Sequence, residues 1–145
     1  MNQQQSLINN TFTRFFFQTK IAQEGGMFNT RTEMFDADSK VLKPDLSIYF
    51  AAQKANFSKE NTEVALWADE IISPEDCFDR IFSNLEKYFS AGVKCVWHIF
   101  PESQQVYVYT AIDKVTICQG KTVCEIVPVS DEFRISAEDL FADLN

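Results

Sequence analysis

Apolar residues recur at helical spacing in three parts of the chain. Within residues 5–22 the apolar positions repeat every three or four residues, and they are Ile8, Phe12, Phe15 and Phe16. This pattern predicts an amphipathic helix, which Gly25 and Gly26 end. A short final helix is predicted to begin at Ser136, where a serine precedes two acids and an apolar cluster.

The most regular helical pattern follows the sequence Ser73-Pro74-Glu75-Asp76. A serine at the N-cap, a proline at the first position and acids in the first turn are typical of a helix start. We therefore predict a helix that begins there and ends at Gly92. Its predicted buried face consists of Phe78, Ile81, Phe82, Leu85, Tyr88 and Phe89.

Shorter apolar runs between turn-forming residues predict β-strands. They cover residues 27–35, 46–50, 64–72, 93–100, 106–109, 114–118 and 123–127. The first is expected to face solvent, and residues 51–62 are expected to form a loop. The passage from strand to helix to strand between residues 64 and 99 predicts a parallel crossover. The order of elements therefore predicts an α/β fold with a central mixed β-sheet flanked by helices.

The chain has 145 residues, enough for a hydrophobic core, and we interpret it as a single domain spanning residues 1–145. It contains no apolar run of about 20 residues, the length of a membrane span, and its start lacks the pattern of a signal peptide. The four cysteines show no CxxC spacing, so neither a zinc site nor a disulfide framework is expected. We expect a cytoplasmic protein with reduced thiols and no membrane partner.

The formal net charge is −8, the wrong sign for a free-standing DNA-binding protein, because phosphate neutralisation supplies much of the affinity for DNA. The charge is uneven. Residues 1–60 hold seven basic and six acidic side chains, whereas residues 61–145 hold six basic and fifteen acidic ones. Four lysines form a basic rim around Asp45 in the sequence, and they are Lys40, Lys43, Lys54 and Lys59. The rim could steer a phosphate group, but four solvated lysines are the simpler interpretation.

Two carboxylates stand where strands begin or end. Asp45 follows Pro44 at the start of one predicted strand, and Glu70 lies near the end of the next. If both reach one sheet edge, they can hold magnesium, which neutralises a phosphodiester and activates water. Side chains alternate along a strand, so Asp69 and Glu70 cannot face the same metal. The alternative is that Asp45 belongs to a turn and Glu70 is an ordinary strand-end acid.

Several short motifs follow one another along the chain. They are Pro44-Asp45, Glu70-Ile-Ile-Ser-Pro74, Tyr88-Phe-Ser-Ala-Gly-Val93, Val96-Trp97 with Pro101, Val106-Tyr-Val-Tyr109 and Leu140-Phe141. In this order and spacing, the segment 43–141 resembles the Uma-two family of restriction-endonuclease-like proteins. That bacterial family, abundant in cyanobacteria, is part of the PD-(D/E)XK nuclease superfamily.

The resemblance implies a restriction-endonuclease-like core and an endonuclease that hydrolyses DNA phosphodiester bonds with Mg²⁺ or Mn²⁺. It implies that Asp45 and Glu70 are catalytic metal ligands, with the backbone carbonyl of Ile71 as a third ligand. PD-(D/E)XK proteins often act as dimers so that both DNA strands can be cut, so a homodimer is expected. Tyr107 and Tyr109 alternate with valines and form a candidate aromatic dimer patch.

The lysine of such a site is missing from both of its usual positions. The simplest superfamily motif places it two residues after the second acid, where this chain has Ile72. The resembling family carries it on the following helix, where this chain has Asn84. We assign Lys87 as the catalytic cation, and Arg80, one turn before Asn84, is the alternative. The family's aspartate before its proline is replaced by Phe100.

The resembling family also carries an acid ahead of the first helix, whereas this chain starts inside that helix. Glu24 or Glu33 would have to take its place. His98 is the only histidine and follows Trp97 on a predicted strand, where a core position is the simpler interpretation. Nucleophilic catalysis by a Ser-His or Cys-His pair is therefore poorly supported.

Two further interpretations remain open. One is a binding or structural module that kept the nuclease fold and lost catalysis, which the net charge and Asn84 favour. The other is a small ligand-binding α/β domain unrelated to nucleases.

Overall fold

The computed structural model describes residues 2–36, 38–57 and 63–145. In chain order its strands are β1 (Met27–Thr30), β2 (Met34–Phe35), β3 (Val41–Leu42), β4 (Leu46–Tyr49), β5 (Trp67–Ile71), β6 (Cys95–Phe100), β7 (Gln105–Ala111), β8 (Lys114–Gln119), β9 (Val123–Ile126) and β10 (Ser130–Ser136). The main sheet has the order β1-β4-β5-β6-β7-β8. Only β5 and β6 run parallel among these neighbours, so the predicted mixed sheet and parallel crossover are confirmed.

Helices cover both faces of this sheet. They are α1 (Gln3–Phe16), α2 (Lys20–Gln23), α3 (Phe78–Ala91) and α4 (Ala137–Leu140), with 3₁₀ turns at Ala51–Asn56 and Ala142–Leu144. One face packs against α1, α4 and the β9–β10 hairpin, and the other packs against α3 and the β2–β3 hairpin. In the described parts of the chain, no helix is long and apolar enough to cross a membrane.

The core on the α1 face is built around Phe12. Its ring centroid lies 5.4 to 6.2 Å from four other aromatic rings, which belong to Phe28, Trp67, Trp97 and Phe133. Both tryptophans are fully buried there. The apolar stripe of the first helix therefore faces the sheet as predicted, although Phe15 is only partly buried.

The first helix is shorter than the sequence pattern predicts. It ends at Phe16 rather than continuing to residue 22, because Thr19 has an extended backbone and begins a second helix. The Thr19 hydroxyl donates to the Phe16 carbonyl and accepts the N–H of Ala22, so it closes one helix and caps the next. Hydroxyl side chains commonly compete with the helical backbone in this way.

The prediction that α3 begins at Ser73 is wrong, because the helix starts at Phe78 with Cys77 as its N-cap. The Asp76 carboxylate accepts the N–H of Ser73, and the Asp76 N–H donates to the Ser73 carbonyl. These two hydrogen bonds close residues 73–76 into a separate turn. The helix ends at Gly92 as predicted, in a left-handed conformation with φ of 110°.

Only part of the predicted apolar face of α3 is buried. Leu85 and Tyr88 lie in the core, whereas Phe78 is 70% exposed and Phe82 is 38% exposed. Both exposed rings lie near the start of the helix, before the residues that are buried in the core. Residues 27–35 also differ from the prediction. They form β1 and β2 rather than one strand, and Arg31 between them has a φ of 49°.

The position of Phe12 generates a stability prediction. Phe12→Ala removes the central ring of the aromatic cluster and should lower the free energy of unfolding by about 3–5 kcal/mol. Phe17→Ala is the control, because Phe17 is 65% exposed and its loss should change stability by no more than about 0.5 kcal/mol. Urea denaturation of both variants measures the difference, and similar losses would contradict this account of the core.

Candidate functional site

A polar cavity of about 410 Å³ lies where β4 begins and β5 ends. Its wall is formed by the first turn of α1, strand β3, the ends of β4 and β5, and one side of α3. The lining residues that carry charge are three acids and three bases, namely Asp45, Glu70, Asp76, Arg31, Lys43 and Arg80. The cavity is therefore formally neutral within a chain of net charge −8.

Asp45 is held rigidly across two strands. Its N–H donates to the Asp69 carbonyl at 3.0 Å, and its Oδ2 accepts the N–H of Ile71 at 2.7 Å. Its Oδ1 lies 3.5 Å from Nη1 of Arg31. Burial raises the pKa of Asp45, and the Ile71 N–H and the Arg31 charge oppose that rise.

Glu70 faces the same cavity from strand β5. The hydroxyl of Tyr88 on α3 donates a hydrogen bond to Glu70 Oε1. Burial raises the pKa of Glu70 to about 7, although the hydrogen bond from Tyr88 favours the charged form. The sheet and α3 thus fix both the position and the orientation of this carboxylate.

Asp69, the residue before Glu70, points to the opposite face of the sheet, as strand alternation predicts. It is fully buried, and its Oδ1 accepts the N–H of Leu46 at 2.9 Å. Burial raises the pKa of Asp69 well above its ordinary value. Asp69 therefore braces the β4–β5 pair and does not line the cavity.

The donor set at the cavity suits a hard divalent cation. Asp45, Glu70 and Ile71 line it together, and all three offer oxygen atoms, which for Ile71 is the backbone carbonyl. Among the described residues, no cluster of three or more His, Cys, Asp or Glu side chains could hold a metal ion. Magnesium is usually bound through one or two carboxylates together with water and substrate phosphates. The residues present fit that mode, and Asp45, Glu70 and Ile71 would hold such an ion.

Three residues of α3 at intervals of four line the cavity, namely Arg80, Asn84 and Tyr88. This spacing places them on one side of the helix. Lys87, the cation assigned from the sequence, is not among the lining residues, and its role stays a prediction. Nη2 of Arg80 lies 3.9 Å from Oδ1 of Asp76, so this guanidinium already lies at the cavity wall.

The structure also adds lining residues that the sequence analysis missed. Gln5 reaches the cavity from the first turn of α1, and Arg31 reaches it from the end of β1. Neither residue belongs to a sequence motif, because each comes to this cavity only in the folded chain. Of the predicted basic rim, Lys43 lines the cavity, whereas Lys59 lies outside the described residues.

The remaining candidates lie elsewhere. Glu24 and Glu33 do not line this cavity. His98 is buried among aromatic rings, with its ring centroid 5.0 Å from that of Tyr109, and burial lowers its pKa to about 4. A neutral, buried imidazole away from the cavity agrees with a core position. Tyr109 is itself buried, which removes it from the proposed dimer patch.

The raised pKa of Glu70 predicts a pH-dependent stability. Between its ordinary value of 4.5 and about 7, folded Glu70 keeps a proton that the unfolded chain releases. This stabilising contribution is present below pH 4.5 and is lost as the pH rises to 7. We therefore compare the free energy of unfolding of Glu70→Gln with that of the wild type by urea denaturation. The difference, variant minus wild type, should rise by about 1–3 kcal/mol between pH 5 and pH 8.

The control for this measurement is Glu86→Gln, which removes an exposed acid from helix α3, outside the cavity. Its stability relative to the wild type should be nearly constant over the same pH range. If the stability of Glu70→Gln relative to the wild type is also constant over this pH range, Glu70 does not bind a proton in the folded state near pH 7.

The fold of this chain is similar to that of a solved structure. No family model matches the sequence, and no curated protein shows significant similarity. The whole chain superimposes on 84% of the crystal structure of a "putative nuclease belonging to DUF820" from Anabaena variabilis ATCC 29413, with a TM-score of 0.83 and 19% sequence identity. This chain therefore has a nuclease-like fold.

Proposed function

We propose that this chain is a Mg²⁺- or Mn²⁺-dependent endonuclease of the PD-(D/E)XK type that hydrolyses DNA phosphodiester bonds. The observation that carries the proposal is that Asp45 and Glu70, from adjacent strands, line one polar cavity together with basic side chains. The sequence resemblance to the Uma-two family and the nuclease-like fold support it.

Each residue of the cavity would have a distinct role. A bound divalent cation would neutralise the phosphodiester and activate a water molecule. Asp45, oriented by the N–H of Ile71, and Glu70, oriented by Tyr88, would hold that cation together with the Ile71 carbonyl. These hydrogen bonds reduce the freedom of both carboxylates before substrate arrives, as is usual for the partners of metal ligands.

Arg80 is a better candidate than Lys87 for the missing cationic group. It lines the cavity one turn before Asn84, on the same side of α3. A guanidinium can bind two phosphate oxygens at once and keeps its charge at all relevant pH values. We therefore assign charge stabilisation at the phosphate to Arg80.

The second candidate function is a binding module that kept the nuclease fold without catalysis. Asn84, the net charge of −8 and the ion pair between Arg31 and Asp45 favour it. In that case the cavity would bind an anionic group through its basic residues, without a metal.

A homodimer is part of the proposed function, since two sites are needed to cut both strands. Edge strand β8 offers a surface for it. Val115 and Ile117 on this strand are about half exposed, and Ile117 pairs directly with Tyr107 on β7. Unpaired edge strands with exposed apolar residues tend to associate.

Metal binding tests the enzymatic proposal. Calorimetric titration of Mn²⁺ into the wild type should give a one- or two-site isotherm, and Glu70→Ala should abolish it because a ligand is lost. Glu86→Ala, on the exposed side of α3, should bind like the wild type. If the folded wild-type protein does not bind Mn²⁺ at millimolar concentration, the proposal of a metal-dependent nuclease is overturned.

The assignment of Arg80 is tested by cleavage of plasmid DNA in Mg²⁺. Arg80→Gln should lower the rate about 100-fold, because it removes charge stabilisation next to the phosphate. Lys87→Gln, a change of the same kind on the same helix, should stay within about twofold of the wild type. If Lys87→Gln instead lowers the cleavage rate strongly and Arg80→Gln lowers it little, Lys87 and not Arg80 stabilises the charge at the phosphate.

A further inference from the structure

Arg31 is a charged residue of the cavity to which the proposed mechanism gives no role. Thr30 pairs with Leu46 at the end of the β1–β4 ladder, so Arg31 lies directly opposite Asp45. The N–H of Arg31 donates to the Asp45 carbonyl at 3.0 Å. The sheet therefore fixes the backbone from which the Arg31 side chain extends.

The guanidinium of Arg31 approaches the side of Asp45 that a metal ion would use. Oδ2 of Asp45 is occupied by the N–H of Ile71, and Oδ1 lies 3.5 Å from Nη1 of Arg31. Oδ1 is thus the atom that remains for a metal ion. Arg80, by contrast, pairs with Asp76 at the cavity wall.

We propose that Arg31 acts as an internal counter-ion that competes with the divalent metal for Asp45 and moves to the substrate phosphate once the metal is bound. This inference rests on the proposed function, because it concerns the same site. It assigns Arg31 two successive partners, the carboxylate of Asp45 and a phosphodiester oxygen.

Electrostatics supports the competition. A magnesium ion binds a carboxylate oxygen at about 2.0–2.1 Å, so a guanidinium on the same oxygen would lie within a few ångströms of a double positive charge. Like charges at that separation repel in a partly buried site. Occupation by the metal must therefore displace Arg31.

The side chain of Arg31 is free enough to make this move. Its side chain is 51% exposed, whereas that of Asp45 is only 13% exposed. The separation of 3.5 Å is longer than a charge-assisted hydrogen bond of about 2.7–2.9 Å, so the ion pair is loose. A guanidinium held by such a loose ion pair can reach other positions in a cavity of about 410 Å³.

Two binding measurements on Arg31→Gln test the proposal. Calorimetric titration of Mn²⁺ at pH 7.5 should show about 3- to 10-fold tighter binding than in the wild type, because the competing charge is gone. In Ca²⁺, binding of a fluorescent DNA duplex should weaken about 5- to 10-fold, because one phosphate contact is lost. If Arg31 had a merely structural role, its loss would not raise the affinity for Mn²⁺ and at the same time lower the affinity for DNA.

The matched control is Arg14→Gln. Arg14 forms an exposed ion pair with Asp143 at 3.3 Å, away from the cavity, and its loss should leave both affinities unchanged. Arg31→Lys keeps the charge and should bind Mn²⁺ like the wild type. Thermal melting of each variant establishes that it is folded before its affinities are compared.

The outcomes separate this inference from the proposed function. If the wild type binds Mn²⁺ and Arg31→Gln binds it equally or less tightly, the competition is overturned and the nuclease proposal stands. If only Arg31→Gln binds Mn²⁺, the competition is supported and the native chain is not a metal-dependent nuclease. If neither protein binds Mn²⁺, both proposals fail.

Discussion

The candidate site depends on the hydrogen bonds that join the start of β4 to the end of β5. Oδ2 of Asp45 accepts the N–H of Ile71, and Oδ1 of Asp69 accepts the N–H of Leu46. Each strand therefore contributes a carboxylate that binds the backbone of the other. Such charge-assisted bonds are stronger than those between neutral groups. They hold Asp45 in the cavity that Glu70 also faces, and every interaction with substrate or metal would start from this arrangement.

This arrangement has a cost in stability. Asp45, Asp69 and Glu70 are acids whose pKa values burial raises, so each is poorly solvated in its charged form. The aromatic core on the α1 face offsets that cost through apolar burial. Buried acids of this kind are often retained where a site must bind or react. Arg31 and Tyr88 further reduce the cost by giving Asp45 and Glu70 favourable partners.

Much of the fold could be predicted from the sequence, and the errors have local causes. Strand order along the chain, the helix stop at Gly92 and the pairing of Asp45 with Glu70 at one sheet edge follow from alternation and turn residues. The predicted start of α3 was wrong because the Asp76 carboxylate accepts the N–H of Ser73 and closes this sequence into a separate turn before the helix. Phe78 was expected in the core, yet periodicity alone does not reveal how far the sheet extends beneath a helix.

The sequence by itself determined most of the strands, the two longest helices and which two carboxylates stand at strand ends, because these features depend on neighbouring residues. Only the tertiary structure decided which basic groups meet those carboxylates. Arg31 lies opposite Asp45 through antiparallel register and a left-handed backbone, and Arg80 rather than Lys87 faces the cavity through the rotation of α3. Both depend on contacts between segments far apart in the chain, for which a single sequence contains no local signal.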